Sequence, residues 1–231
     1  SKNPIKLRPA YYIEFFYFII MYTKLKLMTQ YTIWAFVLIT IVTAPISGIL
    51  WIGKHFVSLP VNDLSDLIQK HGIFLAFLMI CLIGPCIEEV LFRYPITLER
   101  KVLLRSFALG MLFKLTLVLF GKTESFVANI ILSNLCWISI ILYYARKEYG
   151  LKAKSAAGYI SMVFFALLHL TNFTNLHWNN FIFAFIQVIP LGILAFFLNK
   201  TRIQCGILYC IGIHILYNLI TFTFMLPTMK W

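Results

Sequence analysis

The sequence predicts an all-α fold, a polytopic bundle of transmembrane helices, and three observations carry that reading. Hydrophobic residues fill 61% of the 231 positions, charged residues only 12%, and the mean hydropathy is +0.87, a balance foreign to a soluble core. Apolar stretches recur at about the 20-residue length that a bilayer crossing needs. Basic residues bracket those stretches with a strong preference for one side.

Taken in chain order, the first element is the aromatic run Tyr11 to Tyr22. It holds Glu14 and is short for a span, so it reads as an interfacial helix within an N-terminal basic segment, residues 1–30. No small-residue cleavage site follows it, so it is expected to stay on the mature protein. Residues 31–231 form the transmembrane domain, with spans at Tyr31 to Gly53, Gly72 to Leu98, Ser106 to Gly121, Ser125 to Ala145, Ala156 to Leu170, Trp178 to Asn199 and Ile203 to Leu226. Between the first two, Pro60, Asp63 and Asp66 mark an outer loop with room for a short amphipathic helix; Arg100 to Arg105 suggests another on the inner side.

Charge placement tests the parse independently of hydropathy. With the N-terminus cytoplasmic, the inner segments hold fourteen Lys and Arg and the outer ones only Lys54, Lys70, Lys122 and Lys230, as the positive-inside rule requires of seven spans. In a soluble chain the net charge of +12 would suggest nucleic acid; here the basic residues serve topology and lipid headgroups instead. The expected partners are membrane lipid and a membrane-borne substrate, with no nucleic acid. The cysteines Cys81, Cys86, Cys136, Cys205 and Cys210 all lie in apolar segments and act as small hydrophobes rather than as disulfides or a thiolate zinc site.

Polar residues inside spans are costly, which makes them functional candidates. Glu88 and Glu89 share one span with Arg93, His169 lies in the fifth, His214 and Asn218 lie in the last, and Lys114 and Gln187 are further polar intruders. Lys114 is read as a snorkelling or internally paired side chain. Glu89 and Arg93 are four residues apart, so they share a helix face and can pair, with Glu88 turned about 100° away. That divides the labour: Glu89 and Arg93 support, Glu88 reacts. His214 and Asn218 are also i and i+4, as are Phe165 and His169. From the nearest inner charge, Glu88, His169 and His214 lie roughly 16, 22 and 18 Å along their helices, close enough to share one layer.

A carboxylate in a low dielectric gains proton affinity, which suits a general base near neutral pH. Glu88 can take a proton from water that His169 helps to position, while His214 and Asn218 donate to the oxyanion of a peptide carbonyl under attack. No residue of the set is an obvious covalent nucleophile. The same two imidazoles and carboxylate, Glu88, His169 and His214, also resemble the ligands of a catalytic zinc with an open position; the residues leave both accounts open.

Three motifs in order, Glu88-Glu89-Val90-Leu91-Phe92-Arg93, Phe165-Ala166-Leu167-Leu168-His169 and His214-Ile215-Leu216-Tyr217-Asn218, resemble those of the CPBP or Abi family, the type II CAAX prenyl endopeptidases and bacteriocin-processing membrane proteins. The resemblance runs from about Phe74 to Ile220. It implies an α-helical intramembrane protease with a cavity open to the cytosol, in which Glu88 and His169 activate water, His214 and Asn218 stabilise the oxyanion, and Glu89 and Arg93 support them. It leaves zinc dependence open, because the family has been described in both ways. Gly192 and the turn from Lys200 to Gly206 also look like the family's approach to its last motif. The chain departs from the pattern between Arg93 and Phe165, where residues 106–145 read as an inserted helical hairpin.

The expected substrate is a membrane-associated peptide or lipidated protein, either a CAAX-type prenylated C-terminus or a leader or signalling peptide. Two other classes compete. A bacteriocin-immunity or scaffolding protein would keep the helices without turnover, and a transporter would show paired broken helices in matching halves, which Pro45, Pro85 and Pro190 do not supply. The expected location is a bacterial cytoplasmic membrane, with the endoplasmic reticulum as the eukaryotic alternative.

Overall fold

The computed structural model describes residues 9–58, 61–62, 64–119, 151–174 and 176–226. They form a helical bundle in which four helical segments, Phe16–Gly53, Ile73–Thr97, Phe181–Gln204 and Ile207–Met225, are long and apolar enough to cross a membrane. The stretch Ala153–Leu168 is apolar but shorter. The expected span Ser125 to Ala145 lies outside the described residues, and Ser106 to Gly121 falls largely within the helix α5 (Arg100–Leu119). Among the described residues, four of the seven expected crossings thus have helices of crossing length.

Helix α1 (Pro9–Gly53) runs for 45 residues without interruption, so the interfacial segment expected at Tyr11 to Tyr22 and the first span are one rod. Residues 23–30 contain neither Pro nor Gly, and nothing there stops a helix from continuing. At about 67 Å, the rod is twice the thickness of a hydrocarbon core. After it come β1 (Val61–Asn62) and α2 (Leu64–His71), the latter in the loop where a short amphipathic helix is expected.

The second of these four segments is composite: α3 (Ile73–Phe77), a π turn (Leu78–Ile83), α4 (Gly84–Phe92) and a 3-10 turn (Tyr94–Thr97). The chain then reverses through Leu98, which holds φ at 56° with its side chain buried, and enters α5. Helix α6 (Leu151–Leu168) ends in a 3-10 turn (His169–Asn172) that leads to β2 (Phe173–Thr174). Helix α7 (Phe181–Gln204) packs against α1 and α6 and is followed by α8 (Ile207–Met225). The last expected span, Ile203 to Leu226, is therefore split: its first residues finish α7, and Gly206, at φ 106°, makes the corner, a conformation that a Cβ disfavours.

Contacts between distant residues fix the two ends of the bundle. At one end the Lys24 ammonium lies 5.9 Å from the Tyr209 ring, and Tyr31 bonds to Gln204. At the other, Asn180 Nδ2 donates to the Ser58 carbonyl, and β1 pairs antiparallel with β2, Val61 opposite Thr174 and Asn62 opposite Phe173. Residues Lys24 and Arg202, both assigned to inner segments by charge, thus share one end. Between the ends, Ile39, Leu194, Leu198, Cys210, Ile213 and Tyr217 make the core where α1, α7 and α8 meet. Phe92, Phe165 and Ala195 make another between α4, α6 and α7.

In an apolar environment a helix end must find partners for its free carbonyls inside the protein. Ser161 Oγ donates to Phe92 O at 2.6 Å, and Arg202 Nε donates to Arg93 O at 3.2 Å. These two side chains pin the end of α4, and with it the position of every polar group on that helix.

Candidate functional site

Glu89 projects from α4 into the seam between α4 and α8 and is fully buried. Three partners surround its carboxylate. His214 Nδ1 lies 2.7 Å from Oε1, Arg93 Nη1 lies 3.4 Å from the same oxygen, and the Cys210 thiol donates to Oε2 at 2.7 Å. Arg93 is itself fully buried, and its guanidinium stacks 3.9 Å above the Phe165 ring, a cation–π contact that strengthens where water is absent. Phe165 packs in turn against Phe92, His169 and His214. The expected i, i+4 pairing of Glu89 with Arg93 is present, and it is one edge of a larger network.

Glu88 points elsewhere. Its side chain keeps 26% of its surface, yet its Oε2 is buried and has no hydrogen-bond partner. Two imidazole nitrogens face that oxygen: His214 Nε2 at 3.6 Å and His169 Nε2 at 4.0 Å. The fold therefore brings together Glu88, His169 and His214 from three different helical segments, as the motif spacing anticipates.

The other nitrogen of each ring is committed. His169 Nδ1 lies 2.8 Å from the Phe165 carbonyl, and a carbonyl can only accept, so the proton sits on Nδ1. His214 Nδ1 is oriented the same way by Glu89. In the neutral form of either ring, Nε2 then presents a lone pair toward Glu88. Both separations exceed a direct hydrogen bond, so neither ring nitrogen satisfies Oε2 directly.

A zinc ion fits less well. Tetrahedral bonds of about 2.0–2.1 Å place two donor atoms roughly 3.3 Å apart, and the 4.0 Å to His169 would force a nearly linear arrangement. Among the described residues no cluster of three or more His, Cys, Asp and Glu is disposed to hold a metal ion. The donor set in this arrangement does not match a tetrahedral zinc site.

Asn218 is on the same stripe of α8 as His214, one turn further on. Its Nδ2 donates to the carbonyl of Ile80 at 2.8 Å, inside the π turn that precedes Glu88. Gln187 donates to Phe183 O of its own helix and takes no part in the site; the Lys114 side chain lies outside the described residues.

Sequence reasoning missed Cys210, Arg202 and Ser161. Cys210 had a signal, since Cys210, His214 and Asn218 repeat every four residues along one face of α8. Arg202 and Ser161 had none, because each contacts a backbone carbonyl that no side-chain pattern marks.

Compared with known protein families, with curated proteins and with solved structures, the chain matches none.

Proposed function

We propose that this protein is an intramembrane endopeptidase that hydrolyses a peptide bond of a membrane-associated peptide or lipidated protein. One observation carries the reading: a buried carboxylate oxygen without a hydrogen bond, Glu88 Oε2, faces the Nε2 atoms of His214 and His169 at 3.6 and 4.0 Å. A carboxylate oxygen and two imidazole nitrogens that converge from separate helical segments can accept, hold and donate the protons of a water molecule, which suits its activation. The motif order that resembles the CPBP family points the same way.

In this mechanism the water oxygen attacks the carbonyl carbon while its proton passes to Glu88 Oε2. His169 orients the water. The carbonyl π electrons move to oxygen, and His214 in its imidazolium form, with a proton on each ring nitrogen, donates from Nε2 to the oxyanion. Collapse of the tetrahedral intermediate breaks the C–N bond as the proton held on Glu88 moves to the leaving nitrogen, which gives a carboxylic acid and an amine; the acid then loses its proton to solvent. Glu89, locked to Arg93, Cys210 and His214, fixes the ring of His214 and needs no proton transfer of its own.

The wider setting we infer is a seven-span protein of a bacterial cytoplasmic membrane with its N-terminus in the cytoplasm, as the side preference of Lys and Arg suggests. The test is cleavage in proteoliposomes of two probes, a farnesylated peptide ending in a CAAX-type tetrapeptide and a membrane-bound leader peptide, in water enriched in oxygen-18. Hydrolysis is expected to leave one labelled oxygen in the new carboxylate of one probe. Failure to cut either would count against the proposal.

A further inference from the structure

The π turn before Glu88 leaves one backbone carbonyl without a partner from its own helix. In an α-helix Ile80 O would accept from the amide of residue 84, but Gly84 N donates to Met79 O, the i−5 bond of a π turn. In a continued π register Ile80 O would accept from residue 85, and Pro85 has no N–H. Both intrahelical donors are thus excluded. The bond comes instead from Asn218 Nδ2 of α8, at 2.8 Å. Gly84 is tied to the same turn, because a Cβ there would stand 2.8 Å from Met79 O.

A π turn carries one residue more than the α-helix it interrupts, which shifts everything after it by about 100° around the axis. Glu88 and Glu89 follow within two turns, and each points at its own partners, Glu88 at His214 and His169 and Glu89 at His214 and Cys210. We propose that Asn218 is a positioning residue: it supplies the hydrogen bond that Pro85 denies to Ile80 and so holds the turn that aims Glu88 at the imidazoles. This assigns Asn218 to the backbone of the π turn rather than to the oxyanion, and it rests on the hydrolytic reading of Glu88.

The test is a double-mutant cycle of Asn218→Ala and Pro85→Ala, each protein assayed for cleavage of the farnesylated peptide and for thermal unfolding in detergent micelles. Alanine at position 85 restores a backbone donor next to the Ile80 carbonyl. Asn218→Ala alone is expected to lower kcat at least about tenfold and the melting temperature by about 5 °C. In the Pro85→Ala background the same change should cost less than about threefold and about 1 °C. Where the Pro85→Ala parent is too slow to assay, the melting temperatures read the same coupling.

Equal losses of rate in both backgrounds would overturn the proposal, because an oxyanion donor is needed whatever residue occupies position 85. Equal losses of melting temperature would overturn it as well. If the unaltered protein cleaves nothing, the hydrolytic reading fails on its own, and the melting temperatures alone decide whether Asn218 caps Ile80.

Discussion

Glu89 and His214, 125 residues apart in the chain, meet through a 2.7 Å contact between Oε1 and Nδ1 in a fully buried seam. This contact joins α4 to α8. It also separates the two adjacent glutamates by role, since Glu89 is enclosed by partners and Glu88 has a free oxygen.

Removing the enclosed carboxylate should therefore harm the fold more than removing the free one. Glu89→Ala strands the buried guanidinium of Arg93 without a counter-charge, which is expected to cost about 3–5 kcal/mol. Glu88→Ala deletes a group with no hydrogen bond at Oε2 and is expected to cost less than about 1 kcal/mol. Thermal unfolding of the two variants in the same detergent checks the asymmetry.

Cys210 should tolerate only a hydrogen-bonding replacement. Its thiol donates to Glu89 Oε2 and approaches the Leu198 carbonyl at 3.1 Å. Cys210→Val leaves a buried carboxylate oxygen unmatched, for an expected loss of about 1–3 kcal/mol. Cys210→Ser should retain most of the stability, and the difference between the two melting temperatures is the measurement.

Arg202→Leu should loosen the end of α4. The guanidinium is the side-chain partner of Arg93 O, with Tyr94 O 3.5 Å from Nη2. Its loss is expected to destabilise the protein by about 1–3 kcal/mol and to speed amide hydrogen exchange over residues 96–98, where the chain turns.

Gly206→Val should act through the backbone alone. The residue holds φ at 106° with open space where a Cβ would be, so conformational strain of about 1–2 kcal/mol is the expected cost, without a packing clash. The predicted signature is a lower melting temperature with the cleavage rate per folded molecule unchanged.

Much of this arrangement could be read from the chain because i, i+4 spacing on a helix is a geometric fact. It put Glu89 with Arg93 and left Glu88 free, and it aligned His214 with Asn218. Span boundaries were less readable. The junction at residues 23–30 is polar enough to look like a loop yet contains nothing that ends a helix, so α1 runs through it. The break between α7 and α8 had only Gly206 to mark it. The target of Asn218 was beyond reach, since it depends on the π turn that Pro85 and Gly84 impose on a neighbouring helix. Hydropathy carries no trace of such a turn.

The most direct measurement is the cleavage rate of Glu88→Gln, which keeps the size of the side chain and removes its capacity to take a proton. Reconstituted beside the unaltered protein with the same farnesylated and leader peptides, it is expected to lose about 10²- to 10⁴-fold in rate while unfolding within about 2 °C of the parent. Cleavage by Glu88→Gln at the unaltered rate would contradict the assignment of Glu88 as the base.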